Sequence, residues 1–260
     1  MNSESLKPAA AILLCGHGSR HADAGPDFPH LVTKVQQKLA LQTVTGAFLE
    51  FQDPTIEAAL QQLYDRGHRD IIVQPVTLYN AGHTKNDIPE ILKKFHASHP
   101  DLHLRYGQAL GLIPPVIDAA SLVLETTLQA IQPGVNPGDC KLLVVGRGSR
   151  DRLVADQTIT LCRKLHTRFE FGDSGYCYAF TSAPLLKSAL AQVARSHYHH
   201  VIVLPFLLFP GRLLSDIYGE VDKAAATHPG FRFHKAPALG PQDFLVEAIM
   251  DRIDHCRQLN

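Results

Sequence analysis

The pentapeptide Gly16-His17-Gly18-Ser19-Arg20 returns 130 positions later as Gly146-Arg147-Gly148-Ser149-Arg150, each time after an apolar run, AILLC and then KLLVV. The correspondence continues in order. Pro54 and Leu60 match Pro184 and Leu190. Ile71-Ile72-Val73 with Pro75 matches Val201-Ile202-Val203 with Pro205. The offset then drops to 129, so that Gly82-His83 and Asp87-Ile88 match Gly211-Arg212 and Asp216-Ile217. Ala109-Leu110-Gly111 matches Ala238-Leu239-Gly240 at the same offset, while Ala47-Phe48 resembles Ala179-Phe180 only loosely. One gap explains the series, so the chain is an internal duplication, and a repeat of this length decides the fold.

Each copy alternates short β-rich runs with helical patterns. Strands are expected near 11–15, 44–51, 70–76 and 102–108, then 141–146, 175–180, 200–207 and 231–236. Helices are expected near 27–41, 54–66, 84–97 and 113–131, then 151–168, 184–196, 213–227 and 241–258. The clearest period is Ile56, Ala59, Leu60 and Leu63, at i, i+3, i+4 and i+7, which is one face of a helix. Pro54 suits its first turn, with Asp53 as N-cap. Strands separated by helices imply parallel sheets covered on both faces. The fold class is therefore α/β, with two tandem doubly wound domains at 1–132 and 139–260. The joint falls in Gln132-Pro133-Gly134-Val135-Asn136-Pro137-Gly138-Asp139, a run of turn formers. The two domains are expected to face a cleft, with ligands beyond the carboxyl ends of the strands.

Composition narrows the functional classes. Among 260 residues, 25 basic side chains balance 25 acidic ones, so no basic excess favours nucleic acid. The five cysteines include no C-x-x-C, which leaves a disulfide framework, a zinc knuckle and a local iron–sulfur motif unsupported. Reduced thiols in a cytoplasm fit best. The N-terminal run is a poor secretory signal. The apolar stretch 201–214 is broken by Pro205, Pro210 and Arg212 and is too short to span a bilayer.

Two histidines stand out among 15. His17 follows the first strand between glycines, and His83 follows the third in Tyr79-Asn80-Ala81-Gly82-His83-Thr84. Both open onto the carboxyl edge of the sheet, where Glu50 ends the second strand. Two imidazoles and a carboxylate suit an open divalent-metal site; the alternative is a pair of histidines that cap turns. The second copy keeps the scaffold but carries Arg147 and Arg212 at these positions. The Ser-Arg pairs, Ser19-Arg20 and Ser149-Arg150, fit either an anion site or a helix cap with a solvated arginine. No complete dinucleotide fingerprint, phosphate loop or G-x-S-x-G elbow occurs. A histidine phosphatase wants an arginine directly before its histidine, and Gly16 stands there.

The runs LLCGHGSR, AFLEFQDPT and QPVTLYNAGHTKNDIP resemble the class II tetrapyrrole metal chelatases, closest to the sirohydrochlorin cobaltochelatase and ferrochelatase group in its long, duplicated form. The resemblance implies two flavodoxin-like domains with a tetrapyrrole between them. It implies ATP-independent insertion of a divalent metal as substrate (cobalt, iron or nickel), for cobalamin or sirohaem synthesis. His17 and His83 would be the metal-binding and catalytic histidines, with Glu50 as the family's acidic residue. The cysteine motif of some long forms is missing after Gly240, so no iron–sulfur cluster is expected. A substrate with eight carboxylates calls for cations, and Arg20, Lys85, Arg147, Arg150 and Arg212 are expected in loops at the same edge. Arg147 and Arg212 would hold carboxylates or, alternatively, bridge the domains. No nucleic acid or membrane partner is expected, and the chain is expected to be a monomer or weak dimer. A non-catalytic metal or tetrapyrrole carrier using the same residues is the second reading.

Overall fold

The structure, a computed structural model, describes residues 9–20, 25–80, 82–131, 134–193 and 195–259. The first copy runs β1 (Ala11–Gly16), α1 (Asp27–Lys38), β2 (Val44–Phe48), α2 (Ile56–Asp65), β3 (Asp70–Pro75), α3 (Asp87–Ser98), β4 (His103–Tyr106) and α4 (Pro114–Gln129). The second runs β5 (Cys140–Gly146), α5 (Arg152–Phe169), β6 (Asp173–Tyr178), α6 (Leu186–Val193), β7 (His200–Pro205), α7 (Arg212–Thr227), β8 (Arg232–Lys235) and α8 (Asp243–Gln258). Each copy forms a four-stranded parallel sheet, in the orders β2-β1-β3-β4 and β6-β5-β7-β8. The α/β class and the tandem, parallel-sheet layout are as the sequence implies.

The apolar runs read in the sequence are the inner strands. β1 is buried at every residue, as a strand covered on both faces must be. One face of the first sheet packs Ala11, Leu13, Cys15, Ile71 and Val73 against Ile56, Leu60, Leu63 and Ile88 from α2 and α3. The second sheet repeats this with Leu143, Val145, Val201 and Val203 against Leu186, Leu190 and Ile217.

Contacts divide the chain into two compact units that do not coincide with the sequence repeats. Among the described residues, one comprises 9–20, 28–110 and 249–259; the other comprises 25–27 and 111–248. In the first unit, Arg252 donates to the Leu110 carbonyl (2.7 and 3.2 Å) and Arg257 to Gln42 Oε1 (2.6 Å). In the second, Arg168 of α5 donates to Asp118 and Ser121 of α4 (2.6 and 2.7 Å). The repeats have thus exchanged material from their last helices.

Three local expectations need correction. Pro54 does not open α2. Its bond to Asp53 is cis, its carbonyl accepts from the Phe48 amide (2.9 Å), and the N-cap is Thr55, whose hydroxyl accepts from the Ala58 amide (3.2 Å). A proline whose carbonyl extends strand pairing cannot also begin a helix. β2 stops at Phe48, so Glu50 lies two residues beyond the strand in a turn. Arg212 is the first residue of α7 rather than a loop residue, with Gly211 as N-cap.

Candidate functional site

The loop after β1 is held by an interlock with the chain after β2. Gly16 and His17 offer their carbonyls to the amides of Leu49 (2.9 Å) and Glu50 (3.0 Å). From the other side, the Ser19 amide donates to Gln52 Oε1 (3.0 Å). Gly18 sits at the crossing with φ +87°, and a Cβ there would lie 1.8 Å from the Glu50 carbonyl oxygen. Only glycine combines that close approach with a left-handed backbone. His17 and Glu50, distant in sequence, are therefore joined backbone to backbone at the carboxyl edge of the sheet. Both side chains are half-buried.

The second copy builds the same interlock. Arg147 accepts from the Phe180 amide (3.2 Å) and Gly146 from the Ala179 amide (2.9 Å). Gly148 has φ +93°, and its Cβ would meet the Phe180 carbonyl oxygen at 1.8 Å. Ser182 replaces Gln52, accepting from the Ser149 amide (3.0 Å). The scaffold is common to both copies; histidine and glutamate occur in the first, arginine and phenylalanine in the second.

His83 belongs to a single 3-10 turn, Gly82–Thr84, between β3 and α3. Its side chain lies outside the described residues. The turn is anchored by buried Thr84, whose hydroxyl meets that of Thr77 (3.2 Å) and whose carbonyl accepts from the Tyr106 hydroxyl (2.8 Å). Because β1 and β3 are neighbours, the segments bearing His17 and His83 leave adjacent strands in the same direction. Among the described residues, no three histidine, cysteine, aspartate or glutamate side chains form a metal-ligating group. Cys15, one residue before Gly16, is fully buried, and burial pushes its thiol far above the ordinary range. It therefore stays protonated, which is unsuited to holding a metal.

The cations are distributed along the same edges. Arg20 is exposed, with its guanidinium carbon 4.3 Å from the centre of the Phe51 ring. Lys85 follows the His83 turn directly, is exposed, and donates its amide to the Gly82 carbonyl (3.0 Å). Arg147 and Arg150 are exposed in the loop after β5. Arg212 is exposed and paired loosely with Asp216 (3.7 Å), a contact of the kind that contributes little. The two readings of the Ser-Arg pair separate in the second copy. Ser149 Oγ accepts from the Asp151 amide (3.1 Å), and Asp151 caps α5 by accepting from the Leu153 amide (3.0 Å). That serine is part of a helix cap.

Sequence reasoning passed over Phe51 and Gln52. Neither is a turn-forming residue type, so no punctuation marked the turn they make.

Two parallel α/β units in tandem, each with a glycine-locked loop at the carboxyl end of its first strand, define a duplicated α/β protein with a loop site at each sheet edge. The CbiX family model matches residues 11–126 and 141–256, and the chain belongs to that family. It is 28% identical over 244 residues to a sirohydrochlorin ferrochelatase of Priestia megaterium, covering 94% of this chain and 89% of that one. It is 26% identical over 248 residues to a sirohydrochlorin cobaltochelatase of the same organism, covering 94% and 79%. The solved structure of SirB from Bacillus subtilis with Fe3+ superposes with a TM-score of 0.83 at 25% identity, covering 95% of each chain.

Proposed function

We propose that this protein inserts a divalent metal, cobalt or iron, into sirohydrochlorin, without ATP, in the service of cobalamin or sirohaem synthesis. The observation that carries the reading is the interlock of the His17 loop with the Glu50 turn at a strand edge, repeated in the second copy without the histidine or the glutamate. Relatives named for iron and for cobalt chelation of this same substrate support it.

Insertion exchanges two pyrrole N–H protons for one metal ion. It needs a metal held loosely enough to pass on and a base to take the protons, and neutral imidazole serves both near pH 7. His17 and His83 present the metal and accept the protons. Glu50 assists with charge or proton relay. A site of few protein ligands leaves coordination positions for the pyrrole nitrogens. Arg20, Lys85, Arg147, Arg150 and Arg212 supply cations for the substrate's carboxylates. The protein acts in the cytoplasm as a monomer or weak dimer. In support, no disulfide joins the five cysteines, all of which are buried, and among the described residues no helix is long and apolar enough to cross a membrane.

Purified protein mixed with sirohydrochlorin and Co2+ or Fe2+ is expected to accelerate the spectral change of insertion. His17→Ala and His83→Ala each lose that activity, by the roughly 100- to 10,000-fold expected for a removed acid–base group. Full activity in either variant sinks the site assignment. Binding of metal and tetrapyrrole without acceleration would make the protein a carrier instead.

A further inference from the structure

Phe51 places an aromatic ring at the apex of a strained turn whose geometry does not require one. Its φ is +67°, in the left-handed region that non-glycine residues avoid. The Gln52 amide donates back to the Glu50 carbonyl (2.9 Å), which makes residues 50–52 a γ-turn of the rare, positive-φ kind. The second copy forms the same turn with Thr181 at its apex (φ +67°) and a 2.7 Å bond from the Ser182 amide to the Phe180 carbonyl. The turn therefore does not depend on an aromatic ring. Yet the copy bearing His17 places one there, 49% exposed, with its centre 6.4 Å from that of the His17 ring and the Arg20 guanidinium over it at 4.3 Å. The strain is common to both copies; what is particular to the first is the exposed ring beside His17 and Arg20, an apolar surface that a ligand would cover.

We propose that Phe51 is a positioning residue for the substrate: its ring provides the apolar surface on which the tetrapyrrole plane rests beside His17, and it steadies Arg20 for a peripheral carboxylate. This rests on the chelatase reading above. A flat conjugated ring bordered by carboxylates needs an apolar face and a cation side by side, and Phe51 with Arg20 supplies that pair. A cation held over a ring is fixed by the ring's quadrupole and needs no carboxylate of the protein, so Arg20 can be ordered before the substrate arrives.

Phe51→Gly tests this without threatening the fold, because glycine adopts the same φ unstrained. The Tm of this variant is expected not to fall. KM for sirohydrochlorin is expected to rise about tenfold, the scale of one lost aromatic contact, with kcat and the response to metal concentration unchanged. Phe51→Trp restores KM. Titration of metal-free sirohydrochlorin by fluorescence gives the same comparison without turnover. It therefore decides the role of Phe51 even if the wild type proves to be a carrier. Unchanged tetrapyrrole affinity in Phe51→Gly overturns the proposal. So does a fall in kcat at constant KM that Trp fails to repair, because that would make Phe51 a structural part of the His17 loop.

Discussion

Replacing Gly18 by alanine forces the interlock apart. The new Cβ would stand 1.8 Å from the Glu50 carbonyl oxygen, and real contacts of this kind do not fall below 3.0 Å, so the His17 loop and the Glu50 turn must separate by about 1.2 Å. A non-glycine residue at φ +87° costs roughly 1–2 kcal/mol. Stretching the bonds from Glu50 to His17 and from Leu49 to Gly16 costs about 1 kcal/mol each. The sum, ~3–4 kcal/mol, lowers Tm by roughly 6–16 °C for a chain of this size and leaves the protein folded. A displacement of about 1 Å at a reacting group costs on the order of 100-fold in rate. Gly148→Ala is the matched control, since its Cβ meets the Phe180 carbonyl oxygen at the same 1.8 Å with φ +93°. It is expected to lose the same stability, while its effect on turnover falls on KM through Arg147 rather than on kcat. Thermal unfolding and steady-state metal insertion measure both. Equal losses of kcat in the two variants would refute the division of labour between the copies. A Gly18→Ala protein with unchanged Tm and kcat would refute the steric argument itself.

Two further outcomes are expected. Arg147→Ala should raise KM for sirohydrochlorin more than it lowers kcat, because it removes a contact made in both ground and transition states; an unchanged KM counts against a carboxylate-binding role. The other concerns pH. His200 and His234 stack on neighbouring strands with Nδ1 and Nε2 3.0 Å apart, so one ring must be neutral to accept. Burial, His200 and Arg232 hold the His234 pKa below the ordinary imidazole value. The unfolded chain therefore takes up this proton more readily. Stability is full above about pH 6.5, falls as pH drops through that value, and levels off once the folded protein protonates. The first copy has Asp70 and Arg105 at the same register, paired at 2.7 and 2.8 Å. The double substitution His200→Asp with His234→Arg is expected to flatten Tm against pH between 7 and 5. An unaltered slope assigns the acid sensitivity elsewhere.

The strands and helices were legible because burial on both faces of an inner parallel strand demands an unbroken apolar run, and Ala11 to Cys15 is such a run. His17 was legible as a site residue because glycines flank it and its counterpart is an arginine. Glu50 was legible by type but not by position: strand pairing ends at Phe48, and nothing in Leu49-Glu50-Phe51 announces a γ-turn. The same turn hid Phe51. The likeness of Ala47-Phe48 to Ala179-Phe180 was a coincidence of composition. Register pairs Cys15 with Ala47 and Val145 with Cys177, so Ala47 corresponds to Cys177. The exchange between units was invisible, because periodicity shows which face of a helix is apolar but not which sheet it covers.

That exchange sets a clock on the first unit. Residues 249–259, with buried Ile249, Ile253 and Cys256, belong to the unit whose other parts end at Leu110. A ribosome adding roughly 5–20 residues per second needs about 7–28 s to cover the interval between them. During that time the first sheet has been made but the side chains that complete it have not. The half bearing His17 is synthesised early and finished late: its closing residues follow directly on the last residue of the second unit, so neither unit is complete until the chain is nearly finished.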